Sequence, residues 1–337
     1  MNRAAVSKPH DESPDRSQPA AIRNLKLAGN PARGRVVSND NLGEGVEADP
    51  KYLEKNRRFS AELLGRLRFL TGLRPSALGS MLVKLLSPEN RRRIIPTSNG
   101  LRIYADPFTH LGRALLDHGT LEADTENVFR AHLQPGGVFL DIGANEGYFS
   151  ALAGRLVGPN GYVIAVEPQS RLRDIIELNL RINDIRRYRI YSNAFGGQEG
   201  AEGRINLWPT QNTGASGLVR SYRFSRATET ITFVSLERIF AESGIDHVDF
   251  VKVDVEGFEG DVVRYLVPHL RRQRVGTLFL DYHRSILERN GVDPRDIHQE
   301  IVSAGYRIVA GDASKLDSYC LYQPAQPSSR DAERTPR

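Results

Sequence analysis

Cysteine is nearly absent from this chain: Cys320 stands alone among 337 residues. A lone thiol excludes an intrachain disulfide and fits a reducing compartment. Cys320 lies in Ser318-Tyr-Cys-Leu-Tyr322, which reads as a strand, so a packed, unreactive thiol is expected. Histidine and cysteine form no cluster, which argues against catalytic zinc. No apolar run approaches the roughly 18 residues of a membrane span. The stretch from Met1 to His10 lacks the apolar core of a secretory signal. A cytoplasmic location is the resulting expectation. Residues 1–50 contain no aromatic side chain and abound in Pro, Asn, Gly, Ser and charge. Such a segment cannot bury enough apolar surface to offset ordering entropy, so disorder is expected there. Residues 324–337 read the same way. No internal repeat is visible.

The net charge of +5 is unevenly placed. Residues 51–93 hold eleven Lys/Arg and three Glu, a balance of +8, so the rest of the chain sums to −3. Basic character therefore belongs to one segment, and no nucleic-acid partner is expected from the overall balance. Within residues 51–87, Leu63, Leu67 and Leu70, then Leu78, Leu82, Leu85 and Leu86, recur at helical spacing, broken near Gly72 and Pro75. Arg57, Arg58, Arg66, Arg68 and Arg74 decorate the first helix. The plain reading of residues 51–96 is a basic helical region packed on the main domain. Contact with an anionic membrane surface through residues 51–93, or with an acidic acceptor, is the alternative.

From residue 97 the pattern becomes that of a folded domain, expected to span 97–323. Asn99-Gly100 between two short apolar runs is a hairpin signal. A helix is expected over 121–133. Strands are expected at 138–142, 162–167, 188–194, 248–254, 277–282, 306–310 and 319–323, and helices at 147–157, 170–182, 259–272 and 293–304. Alternation of this kind argues for an α/β fold with a parallel sheet covered on both faces. The stretch 201–240 breaks the rhythm: Arg204–Trp208 and Glu229–Val234 look antiparallel, with Arg220, Arg223 and Arg226 between them.

Three apolar runs end in acids. In Val138-Phe-Leu-Asp141-Ile-Gly143-Ala-Asn145-Glu-Gly147, the glycines allow a tight turn and close approach of a ligand to backbone. Glu167 ends the next strand, where an acid can accept hydrogen bonds from both hydroxyls of a ribose. The glycine spacing is G-x-x-x-G, not the G-x-G-x-x-G of a dinucleotide site. Asn193 follows the third strand, either facing the base of the same nucleoside or simply forming a turn. Val248-Asp249-Phe-Val-Lys252-Val-Asp254-Val-Glu256-Gly257-Phe-Glu259 is the third run.

With these motifs in their order, residues 125–285 resemble the FkbM family of S-adenosylmethionine-dependent methyltransferases. The matching stretches are Asp141–Ser150, Val166–Pro168, Asn193–Gly196, Val234–Leu236 and, most specific, Asp249–Glu259. The resemblance implies a class I methyltransferase fold: a Rossmann-like three-layer sandwich whose seven-stranded, mostly parallel sheet has its last two strands antiparallel. It implies S-adenosyl-L-methionine held by Asp141, Gly143, Ala144, Asn145, Gly147, Tyr148, Glu167, Pro168 and Asn193. It also implies O-methylation of a small-molecule or glycan hydroxyl. Where the family usually has a Glu shortly before a His, this chain has Asp281-Tyr282-His283. Residues 1–96 lie outside the resemblance.

The chemistry agrees. A sulfonium donor has a good leaving group, so alignment is the main task. An aliphatic hydroxyl is a poor nucleophile and needs a positioned base or a metal. Asp254, Glu256, Asp281 and His283 sit at the carboxyl ends of the fourth and fifth strands. Asp254 and Glu256 alternate on one face, and His283 is the first choice of base, with those two behind it. Lys252 reads as a structural ion pair. Asp254 and Asp281 could converge on magnesium, yet nothing demands a metal, and none is expected. A dehydrogenase, or a non-enzymatic adaptor for anionic surfaces, is the competing reading.

Overall fold

The computed structural model describes residues 36–38, 91–207 and 227–326, with the backbone alone for 36–38. Val36–Ser38 (β1) is followed by an antiparallel hairpin, Arg93–Pro96 (β2) and Arg102–Ala105 (β3), closed at Asn99-Gly100. Two helices lead into the sheet, His110–His118 (α1) and Ala123–His132 (α2). Thr109 caps α1 by accepting from the Gly112 N–H, and Gly119 ends it in the left-handed region at φ 72°.

Strand and helix then alternate: Val138–Ile142 (β4), Tyr148–Val157 (α3), Tyr162–Val166 (β5), Ser170–Arg181 (α4) and Tyr188–Tyr191 (β6). Ala194–Phe195 (β7), Glu202–Leu207 (β8) and Ala227–Val234 (β9) form a separate small sheet, in which β8 and β9 are antiparallel as their sequences suggest. The alternation resumes with Leu236–Ser243 (α5), Val248–Val253 (β10), Glu259–Arg271 (α6), Val275–Asp281 (β11), Arg284–Arg289 (α7) and Pro294–Ser303 (α8). Tyr306–Ala310 (β12) and Tyr319–Pro324 (β13) close the chain's described part.

Among the described residues the main sheet runs β1-β6-β5-β4-β10-β11-β13-β12. Strands β6, β5, β4, β10 and β11 are parallel, and β13 runs antiparallel to both its neighbours. These central strands read as near-continuous apolar runs because helices bury both faces. One face packs Leu140, Val251, Leu278 and Leu280 under α5, α6 and α8. The other packs Phe139, Phe250 and Phe279 around Phe129 of α2, whose ring lies 5.4, 5.0 and 5.8 Å from theirs. That aromatic cluster fastens the segment before the sheet onto the sheet itself.

Several expected boundaries are corrected. Val36–Ser38, inside the segment expected to be disordered, adds an antiparallel strand to β6. Strand β2 is the first arm of the hairpin expected at Asn99-Gly100, so the end of the 51–96 region is strand and not helix, and Arg91, Arg92 and Arg93 are buried at its start. These three arginines are packed into the folded domain. The folded domain thus begins no later than Arg91. At the other end Pro324 closes β13, and the Ala325 N–H donates to the Gly305 carbonyl. The remaining residues of 1–90, the arginines at 220, 223 and 226, and residues 327–337 lie outside the described residues. Helices α1, α5 and α7 were not foreseen.

Candidate active site

The sheet places the chemistry by register. Phe250 stands opposite Phe139 and, two residues on, Lys252 stands opposite Asp141. On the other side Lys252 is level with Phe279 of β11. Side chains alternate along a strand, so Asp141, Lys252 and Asp281 fall on one face at the carboxyl edge, where ligands bind in open α/β sheets. The order reverses between β4 and β10, and the loop after β4 crosses there. A Cβ on Gly143 (φ 85°) would sit 1.9 Å from the Asp254 carbonyl, so only glycine fits.

Beneath that loop lies an ion-pair cluster. Asp141 is fully buried, accepts from Ser150 Oγ at 2.6 Å, and has Lys252 Nζ at 3.5 Å. Lys252 reaches Asp254 at 3.2 Å and rests 5.4 Å from the Phe149 ring centroid. Burial works against the charge on Lys252, but Asp254 and Asp141 outweigh it and hold the ammonium well above the usual lysine range. Burial raises the carboxyl of Asp141, with Lys252 and Ser150 opposing. The expected ion pair at Lys252 is therefore present. Asp141 supports the site from below and does not line it.

A cleft opens above, lined on the sheet side by Gly143, Ala144, Asn145, Glu146, Tyr148, Phe149, Lys252, Asp254, Glu256, Asp281 and His283. Thr109, His110, Leu111, Leu121 and Glu122 form the facing wall. Strand β10 stops at Val253, so Asp254 and Glu256 meet in the cleft through a loop and not by strand alternation. His283 Nδ1 hydrogen-bonds the fully buried Glu259 at 2.8 Å, and its Nε2 lies 3.8 Å from both Asp254 and Glu256. Burial disfavours the imidazolium, but the hydrogen bond and charge of Glu259, with Asp254 and Glu256, push His283 up to about 10. A histidine held that high keeps its proton at neutral pH, which weighs against the expected role as base. Asp254 sits below the usual carboxylate range: burial would raise it, and Lys252 and His283 more than reverse that. Asp281 accepts no hydrogen bond from the described residues; burial, then the charge of Asp254, pushes it up to about 6.

Asp254, Asp281 and His283 offer ligand atoms within 4.8 Å of one another, a donor set a divalent cation could use. Lys252 and the His283 imidazolium already meet most of that negative charge.

Toward β5 the remaining expected residues gather. Glu167 is buried and accepts the Asn145 N–H at 2.9 Å and the Gln169 N–H at 3.0 Å. Burial raises its carboxyl, and those backbone donors oppose the rise. Pro168 turns the chain into α4 beside it. Asn193 is fully buried, donates to Thr232 Oγ1 at 2.7 Å, and leaves its Oδ1 without a hydrogen bond among the described residues. Glu167, Pro168 and Asn193 lie beside the cleft, outside its lining. Gly147 (φ 80°) opens α3, and buried Tyr148 bonds Glu126 and Asn99 through its hydroxyl.

Sequence reasoning missed Glu146, Glu259 and the facing wall. Glu146 and Glu259 stood inside the quoted motifs, but their partners are distant in the chain. The wall carried no motif at all.

The strand order, with its switch between β4 and β10, is that of the class I methyltransferase fold. The Methyltransferase FkbM domain matches residues 141–308, and the chain belongs to that family of S-adenosylmethionine-dependent methyltransferases. A protein-L-isoaspartate O-methyltransferase of Methanopyrus kandleri is 30% identical over 128 residues, 37% of this chain and 53% of that protein. The chain thus spans about half the length of that relative. Among solved structures, the O-methyltransferase TomG of Streptomyces achromogenes is 12% identical over 64% of this chain and 87% of its own, with a TM-score of 0.39. A SAM-dependent O-methyltransferase of Thermotoga maritima is 15% identical over 71% of this chain and 80% of its own, with a TM-score of 0.35.

Proposed function

We propose that this protein transfers the methyl group of S-adenosylmethionine to a hydroxyl of a carbohydrate or related natural product. The donor lies along the loop 143–147, with its ribose hydroxyls at Glu167 and its base toward Asn193. Support comes from the buried acid at the end of β5 and the unmatched Oδ1 of Asn193. The acceptor lies between the strand ends and the wall of α1 and α2.

The observation that carries the chemistry is Asp281. It lines the cleft, receives no hydrogen bond from the described residues, and stands beside Asp254 and the His283 imidazolium. In the reaction the acceptor oxygen attacks the methyl carbon, the carbon–sulfur bond breaks, and S-adenosylhomocysteine leaves. The hydroxyl proton passes to the Asp281 carboxylate. Asp254 and Glu256 orient the hydroxyl, and His283 holds both of them in place. A reducing, cytoplasmic setting suits the buried thiol of Cys320, and no described helix is long and apolar enough to cross a membrane.

Full-length protein incubated with methyl-labelled donor and fractionated extract of its source cells tests this reading. Label in an ether that survives mild alkali supports it. Label released as methanol by mild alkali would mark a carboxyl ester and sink the hydroxyl reading.

A further inference from the structure

Glu146 sits inside the donor loop, yet its carboxylate is gripped by Arg92, 54 residues earlier and outside the family-matched span. Both side chains are buried, Arg92 at 8% and Glu146 at 1% exposure. Burial disfavours the guanidinium charge, and Glu146 outweighs it. Asn179 of α4 completes the grip. It donates to the Glu146 carbonyl at 2.8 Å and accepts the Tyr104 N–H of β3 at 2.7 Å. The hairpin, α4 and the loop are thus one hydrogen-bonded unit.

The loop needs such a grip. Gly143, Asn145 and Gly147 have φ of 85°, 50° and 80°, so three of its five residues occupy the left-handed region, which Asn145 enters at a cost. Around them the Asn145 N–H meets Glu167, and the Gly143 and Ala144 N–H groups meet the Val166 carbonyl. Glu146 carries the connection to the opposite side.

We propose that Arg92 is a positioning residue for the donor: by fixing Glu146 it holds the 143–147 loop in the shape that binds S-adenosylmethionine. The proposal rests on the reading of this loop as the donor site. Its consequence is that the family-matched domain is incomplete without the hairpin before it.

The neighbouring residue supplies the control. Arg91 makes a comparable buried ion pair with Asp106, Nε and the NH2 nitrogen each donating to its carboxylate, but not with the loop. In the full-length chain, donor affinity by calorimetry and melting temperature are measured together for Arg91→Met, Arg92→Met, Arg92→Lys, Glu146→Gln and Glu167→Ala. Both methionine variants should melt earlier. Arg92→Met should weaken donor binding about ten- to hundred-fold, the size of one hydrogen bond to a charged group, and Arg91→Met should leave it within error. Arg92→Lys should recover part of the loss, and adding Glu146→Gln to Arg92→Met should weaken binding little further. If Arg92→Met does not fold, Arg92→Lys and Glu146→Gln carry the same comparison. Weakened binding in Glu167→Ala with none in the Arg92 and Glu146 variants overturns the proposal alone, as does equal weakening by Arg91→Met. Unchanged affinity throughout, Glu167→Ala included, overturns the donor-site reading beneath it.

Discussion

At the donor end of the cleft Glu167 receives two backbone N–H groups, whereas at the acceptor end Asp281 receives none from the described residues. The first carboxylate is built into the loop that surrounds it, and its preorganisation stabilises fold and binding together. The second is pushed toward neutrality by burial and then by the charge of Asp254, and is left available. One face of one sheet therefore serves two purposes, binding where polar groups are matched and proton transfer where they are not.

Lys252 divides the two ends, and removing it should have the largest effect. Lys252→Met leaves Asp141 buried with Ser150 as its hydrogen-bond partner, and breaking a buried pair costs about 3–5 kcal/mol. Urea denaturation reads this, and a smaller loss than for Asp281→Asn would invert the comparison. Next comes Asp281→Asn itself. Turnover should fall by about 10²–10⁴-fold, the usual contribution of a positioned base, with donor affinity intact and stability unchanged or raised, since a like-charge contact with Asp254 disappears. Retention of turnover within a few-fold would remove Asp281 from the chemistry.

Glu167→Ala should cost about 1.5–3 kcal/mol of donor affinity, and an unchanged dissociation constant would place the ribose elsewhere. A pH series sharpens the contrast further. His283 is raised from 6.5 to about 10, so its contribution to stability is fully present below about pH 6.5 and is lost as pH rises through 10. Melting temperature should decline across that window, and Glu259→Gln should flatten the decline. The smallest effect concerns metal. With Lys252 and His283 meeting the charge of Asp254, chelator should leave turnover within error, and a loss restored by magnesium or manganese would assign Asp254, Asp281 and His283 to a cation.

The central strands were legible because burial on both faces leaves apolar runs with acids at their ends. Lys252 as an ion pair was legible too, since a lysine inside such a run needs a partner. The protonated state of His283 was not, because Glu259 approaches it from a different element, α6, at a distance sequence does not encode. The burial of Arg91 and Arg92 was not legible for a related reason. Composition counts an arginine the same way whether it faces water or a buried carboxylate, and their partners Asp106 and Glu146 lie 15 and 54 residues away. Helix α1 is short, and its cap, Thr109 with Gly112, is recognisable only once the chain's path is known.

Glu256 carries a consequence for anyone improving this protein. Its φ of 51° places a bulky acidic residue where glycine would be at ease, at a cost of ~1 kcal/mol, and its carboxylate faces His283. A selection scheme scoring heat resistance alone would favour Glu256→Gly and discard a wall of the acceptor cleft in the same step. Robustness and catalysis compete for that one backbone angle, so libraries at position 256 need an activity readout beside the thermal one.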